Sequence, residues 1–301
     1  ETGRVCYESR RSIASGVAKR LWKRSIVLPS WRDEVRIALS PDHLAVARVS
    51  RRWRPKVVAK HVARWPGGAS SHWQTCVEAL NQVLREPAWQ RADACVVLSN
   101  HFVRYALVPW SEHLVTDEEK RAWVAHHFIE LYGEPAAALD YRWADDRANG
   151  ACVASAVESD LVASVRAAFE STSLRLRSVQ PYLMAAFNRC RKQVRGAPVW
   201  VVLPESGRVC IATTAGGTWQ SLTCKGVGPD WESEVSLLLE RRLLLAQDEL
   251  PSAVLAYGPS LTRLDLNFSS DIPFKVLAPR ALPGYSPHTD SEYGLALTGV
   301  V

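Results

Sequence analysis

The residues equipped for chemistry are scattered along this chain rather than gathered into a motif. His126 and His127 are adjacent, so on a helix their rings point about 100° apart and do not share a metal as an i,i+4 pair does. Asp145 and Asp146 open the run Asp145-Asp146-Arg147-Ala148-Asn149-Gly150, whose composition reads as a solvated hairpin turn before it reads as a cation site. The seven cysteines are Cys6, Cys76, Cys95, Cys152, Cys190, Cys210 and Cys224, none at C-x-x-C spacing. An odd, dispersed set predicts neither a disulfide framework nor a zinc cassette, and it fits a reducing compartment. Most of these thiols lie in apolar strings, where they act as small hydrophobes. The sequence has no Gly-x-x-x-x-Gly-Lys phosphate loop and no Gly-x-Gly-x-x-Gly. Gly258-Pro259-Ser260 runs on into Leu261 and Thr262, so it is not a nucleophile elbow. On these residues no catalytic, cofactor-binding or metal-binding assignment is made.

The elements that would position any such site are easier to read. Three β-like runs, 35–39, 44–50 and 56–64, are punctuated by Pro41-Asp42 and by Trp53-Arg54-Pro55. A helix over 73–85 and strands over 94–98 and 102–108 come next. Thr116 and Glu119 form a capping box ahead of a helix that stacks Trp123, Val124, Phe128 and Leu131. A hairpin joins 139–143 to 151–157; then come a helix over 160–170, a strand over 176–179 and a helix over 182–194. Gly196-Ala197-Pro198 reads as a hinge. Beyond it are three β-like runs, 199–203, 208–213 and 218–224, a long helix capped by Asp230, and strands over 253–256 and 274–277. Three strands, a helix and a strand thus occur twice, which predicts a duplicated α/β architecture.

The composition is globular: 301 residues, 47% hydrophobic and 23% charged, enough for one large domain or two ordinary ones. No apolar run approaches the ~20 residues that cross a bilayer as a helix. The net charge of +6 is concentrated at the front, where residues 1–64 hold 16 Lys+Arg against 5 Asp+Glu. Residues 1–30 read as a basic, mobile leader able to touch anionic lipid, nucleic acid or an acidic partner, or to act only as a solubilising tail. Arg48, Arg51, Arg52, Arg54 and Lys56 gather at a hairpin tip, where exposed charge is common and no base-stacking motif accompanies them.

One string carries a resemblance. Ala94-Cys95-Val96-Val97-Leu98-Ser99-Asn100-His101-Phe102-Val103-Arg104-Tyr105, followed by Val108-Pro109-Trp110, looks like the pattern of the GspL and MshI proteins. Ala256-Tyr257-Gly258-Pro259-Ser260 is similar to the family's Gly-containing adenosine-side turn, and Tyr293-Gly294-Leu295-Ala296-Leu297 to its closing helix. The duplicated plan is that of the actin-like (ribonuclease H-like) ATPases. Within it the chain resembles the actin-like assembly proteins of type IV pili and type II secretion systems: PilM, the GspL cytoplasmic domain and MshI.

The resemblance implies an α/β fold of two lobes with a degenerate nucleotide site. Nucleotide-binding relatives carry Asp-x-Gly in the first hairpin, the Asp to organise metal and water and the Gly to let backbone N–H groups reach phosphate. Here Ala38 stands at the Asp position, Ser40 at the Gly position and Ala45 near the family's Lys, and Pro41 removes a donor. The second hairpin falls at Leu203-Pro204-Glu205, again without the acid, and Glu205 would repel a phosphate. A register shift would bring Asp42 or Glu205 into play only if both hairpins were rescued together.

The expected layout is a leader (1–30), a first lobe (31–197) with an insertion over about 111–157, a second lobe (198–278) and a C-terminal segment (279–301) returning to the first lobe. The function implied is a non-catalytic cytoplasmic scaffold, peripheral to the inner membrane. It would use no cofactor and bind the cytoplasmic tail of a pilus or secretion platform protein, or the assembly ATPase. Trp110, Trp123, Phe128 and Trp143 in and around the insertion are the expected partner-binding residues. Rival readings are a working ATPase or kinase of the same fold and a basic nucleic-acid-binding protein; for the latter the sequence carries little.

Overall fold

A computed structural model describes residues 32–51, 53–66, 73–109, 111, 114, 116–144, 151–191, 193–194, 196–245, 250–258, 272–277 and 279–300. The basic leader, the 145–150 turn and Trp110 lie outside the described residues.

Strands β1 (Glu34–Leu39), β2 (His43–Ser50), β3 (Lys56–Arg64), β4 (Asp93–Leu98) and β8 (Arg175–Pro181) form one sheet in the order β3-β2-β1-β4-β8. The first two pairings are antiparallel and the last two parallel. Every residue of β1 and β4 is buried, as befits central strands covered on both faces, whereas β3 alternates and lies at the edge. Helices α1 (Trp73–Val83), α3 (Ser159–Glu170) and α4 (Tyr182–Cys190) complete this lobe. α4 ends at Cys190, short of the expected residue 194, and beyond it the Gln193 N–H turns back to the Cys190 carbonyl at 2.9 Å.

The second sheet repeats the plan. β9 (Val199–Glu205), β10 (Arg208–Ala215), β11 (Thr218–Gly226), β12 (Ala253–Tyr257) and β13 (Phe274–Leu277) take the order β11-β10-β9-β12-β13, with the same succession of antiparallel and parallel pairs. Even an irregularity recurs: the ladder slips at Arg48/Val49 between β2 and β3, and at Thr213/Thr214 between β10 and β11. Helix α5 (Trp231–Leu245) covers one face, burying Val235 and Leu239 against Val209, Ile211 and Val254.

Between β4 and α3 sits a third, antiparallel sheet, β5-β7-β6, built from β5 (Val103–Val108), β6 (Leu139–Ala144) and β7 (Cys152–Glu158). The 139–158 hairpin is as expected; its long-range partner β5 carries no local signal for that pairing. Helix α2 (Asp117–Tyr132) packs on it, and its capping box forms as expected: Glu119 N–H donates to Thr116 Oγ1 at 3.2 Å, and Thr116 N–H to the Glu119 carboxylate at 2.8 Å.

The main core is shared by both large sheets and includes Ile37, Leu39, Leu98, Val201, Leu203 and Tyr257. Full burial of a side chain of this kind is worth roughly 1.5–3 kcal/mol. Helix α6 (Gly294–Leu297) returns to β1, where buried Arg36 donates from Nε to the Ala296 carbonyl at 3.0 Å and from Nη2 to the Thr298 carbonyl. Gly284 has a φ of +82° and lies against the Val57 carbonyl, which a Cβ would strike.

Candidate functional site

The carboxyl ends of the central strands of the two large sheets face one another, so the site is built from the residues at and just past those ends. In the first lobe these are Ser40 after β1, Ser99-Asn100-His101 after β4 and Tyr182 after β8; in the second they are Glu205 at the end of β9 and Tyr257 at the end of β12.

The β1–β2 turn is closed by its own lobe. Ala38 is fully buried and pairs with Ala45. Ser40 N–H donates to the His43 carbonyl at 3.0 Å, and the Ser40 carbonyl accepts from Cys76 Sγ at 3.2 Å. Trp65 clamps the turn twice, from Nε1 to the Pro41 carbonyl at 2.7 Å and from its backbone N–H to the Asp42 carbonyl at 3.1 Å. Asp42 pairs with His43 Nδ1 at 2.7 Å, and that bond holds its carboxyl below the usual range. Burial pushes the Cys76 thiol up to about 12, so it is not a nucleophile.

The β9–β10 turn does the opposite and reaches across. Glu205 accepts from Ser99 Oγ at 2.5 Å and from the Asn100 N–H at 3.1 Å. His101 Nε2 lies 2.8 Å from the Ser206 carbonyl, and Arg208 Nη1 donates to the Asn100 carbonyl at 3.1 Å. Gly207 takes a φ of +72° to make this turn. Asn100, fully buried, accepts on Oδ1 from Tyr105 Oη at 2.6 Å and from the Leu183 N–H at 3.2 Å, so the far side of the junction is itself anchored. Burial raises the Glu205 carboxyl to about 7, partly offset by the bonds from Ser99 and Asn100 and by the Arg208 charge. Burial also lowers the His101 pKa and raises those of Tyr105, Tyr182 and Tyr257. Tyr182 and Tyr257 meet beside this network at 6.4 Å between ring centroids.

The ladders of both hairpins are continuous up to their turns, with Ala38 opposite Ala45 and Glu205 opposite Arg208. Among the described residues no group of three or more His, Cys, Asp or Glu side chains is placed to hold a metal. A cavity of about 240 Å³ lies away from the junction, between α5 and β10–β11, lined by Val209, Ile211, Leu238, Leu245, Lys225 and Arg242.

The expected partner residues do not form one exposed patch. Phe128 is fully buried between the rings of Tyr132 and Tyr141, at 5.8 and 5.3 Å, and is corrected to a core residue of the insertion. The reason is phase: it shares the inward stripe of α2 with Val124. Trp123 is half-buried, bonded through Nε1 to the Pro109 carbonyl at 3.2 Å and packed with its ring tilted against His127, centroids 4.6 Å apart. Trp143 is half-buried, with the Arg121 guanidinium 5.9 Å from its ring. His126 is exposed and lies 3.4 Å from Glu130. The reading of the cysteines is corrected at one place: Cys210 and Cys224, directly opposite on β10 and β11, form a disulfide. Spacing along the chain does not reveal that pair; the register of the hairpin creates it. Sequence reasoning missed Asn100, Tyr105 and Arg208 as a group; the Ser99–Tyr105 string held the first two, and nothing in the sequence tied Arg208 to them.

No helix among the described residues is long and apolar enough to cross a membrane. No family model matches the sequence, and no curated protein matches it. Solved structures do. The chain is similar to the PilM–PilN type IV pilus biogenesis complex, with a TM-score of 0.63 and 14% identity over 90% of this chain and 100% of that one. It is similar to the cytoplasmic domain of EpsL, an inner-membrane component of the type II secretion system of Vibrio cholerae, with a TM-score of 0.56 and 10% identity over 88% and 92%. A Bacteroides thetaiotaomicron protein with an actin-like ATPase fold and unknown function aligns with a TM-score of 0.56 and 10% identity over 82% and 91%. With the duplicated sheet order and the shared core, these likenesses establish that the chain has the two-lobed actin-like ATPase fold.

Proposed function

We propose that this protein is a non-catalytic scaffold, a pseudo-ATPase of the actin-like fold that serves a type IV pilus or type II secretion platform at the inner membrane. Its partner would be the cytoplasmic tail of a platform protein or the assembly ATPase. The observation that carries the reading is the bond network from Glu205 to Ser99 and Asn100. The second hairpin, where relatives present an Asp and a Gly to phosphate, here presents a carboxylate already committed to the other lobe. That carboxyl group occupies the approach and takes up the Ser99 Oγ and Asn100 N–H donors there. The first hairpin, with Ala38 buried and Pro41 lacking an N–H, adds no compensating donors. In this reading the division into 1–30, 31–197, 198–278 and 279–301 is functional, and Trp123 and Trp143 on the 111–157 insertion belong to the partner surface.

A calorimetric titration with Mg-ATP tests the pseudo-ATPase reading: no heat and no thermal shift are expected at millimolar nucleotide. A saturable response reinstates an ATPase or kinase. Trp123→Ala tests the partner surface through capture of platform components by the folded variant; capture equal to that of the parent removes the insertion from the proposal.

A further inference from the structure

The end of the first lobe opposite the junction carries an unusual side chain. The β2–β3 ladder closes at Ser50↔Lys56, and beyond it stands Trp53, 98% exposed. The other described tryptophans are all buried or half-buried. Arg54 and Lys56 flank the indole and are exposed.

The acids of this end are already matched. Asp33 pairs with Arg48 at 2.8 Å, Glu34 with Arg51, and Asp93 with Arg177 at 3.5 Å. Exposed Arg91 and Arg175 lie at the same strand ends, since Glu34, Asp93 and Arg175 are register neighbours. Glu86 and Glu170 remain as exposed carboxylates, with exposed Arg85 next to the first. The surface therefore has surplus positive charge around one protruding indole. The chain also enters the fold here: Glu34 pairs with Val49 at the tip end of β2, and residues 1–30, with 7 Lys+Arg against 2 Asp+Glu, precede it.

We propose that the β2–β3 tip docks on an anionic bilayer surface, with Trp53 in the headgroup layer and Arg54 and Lys56 against lipid phosphates. Indole suits that layer because one edge is polar and the ring is apolar. Each cation near an anionic leaflet strengthens binding roughly five-fold. A nucleic-acid platform would need successive aromatic rings, and the tip has one. This orientation, independent of the scaffold reading, points the junction away from the membrane.

The test uses the full chain and co-sedimentation with phosphatidylglycerol-rich or pure phosphatidylcholine vesicles. Binding to the anionic vesicles alone, weakened by salt, is expected. Trp53→Ala should lose roughly ten-fold in partitioning, and Arg54→Ala with Lys56→Ala roughly thirty-fold, with melting temperatures unchanged because these side chains are exposed. Brominated lipid should quench the parent more than Trp53→Phe. Vesicle binding that is absent, or that survives in all the variants, overturns the proposal. So does oligonucleotide binding that these substitutions abolish while vesicle binding persists.

Discussion

The β1–β2 and β9–β10 turns occupy equivalent places in two copies of one topology, yet one faces inward and the other outward. The first is tied down by Trp65, Cys76 and its own backbone, all within the first lobe. The second spends its polar groups on the other lobe, through Glu205, Ser206 and Arg208. The repeated topology thus keeps one backbone plan while its two tips differ: the first closes on its own lobe and the second joins the lobes. The two tip acids show it most sharply: a hydrogen bond from His43 lowers the Asp42 pKa, while burial raises that of Glu205 to about 7.

The largest effect is expected from Trp65→Ala, which removes an indole packed on the main core and frees the Pro41 carbonyl, while the backbone N–H of residue 65 still reaches the Asp42 carbonyl. A loss of about 3 kcal/mol in urea unfolding is expected, with little change in its pH dependence. A loss below about 1 kcal/mol would show that the first turn holds itself.

Next comes Glu205→Ala, which strands Ser99 Oγ and the Asn100 N–H at the junction. A cost of about 2 kcal/mol is expected near pH 6, with faster hydrogen exchange at residues 99–102. Unchanged exchange there would break the comparison, because the second turn would then be no more a latch than the first.

The pH dependence sharpens it further. The fold favours neutral Glu205, so its contribution is full below the ordinary value of 4.5 and is lost as pH rises through about 7. His101, neutral in the fold, acts oppositely: its contribution is full above 6.5 and is lost as pH falls through its lowered value. Subtracting the Glu205→Gln profile from the parent's isolates the carboxyl. The difference should decline with rising pH at no more than about 1.4 kcal/mol per unit; a difference that rises with pH refutes the junction as described.

The smallest effect is expected from Asp42→Ala. This half-exposed pair with His43 is worth less than about 1 kcal/mol. Its contribution, present above the ordinary value of 3.8, is lost as pH falls through the lowered one, the reverse of Glu205. A cost equal to that of Glu205→Ala would erase the asymmetry between the turns.

Much of the fold was legible because its signals are local. Alternation and turn residues marked β1 to β3 and β9 to β11, Thr116 and Glu119 marked the start of α2, and the repeated order marked the duplication. Less of the site was legible. Glu205 read as an acid that would repel a phosphate, and nothing near it in the chain announced Ser99 or Asn100, over a hundred residues away. Phe128 and Trp123 read alike as aromatic anchors, and only the packing of α2 on β6 and β7 put one in the core and left the other half-buried. Cys210 and Cys224 read as separate hydrophobes until the β10–β11 register set them opposite.

By itself the sequence determined which segments are helices and strands, how they succeed one another and where the charge lies, since periodicity, caps and composition act over a few residues. The tertiary structure decided what each exposed or buried group does. It tied Glu205 to the other lobe, brought Arg36 to the carbonyls of Ala296 and Thr298, and left Trp53 alone at a basic tip. Those outcomes depend on burial and on partners distant in the chain, and no local spacing encodes them.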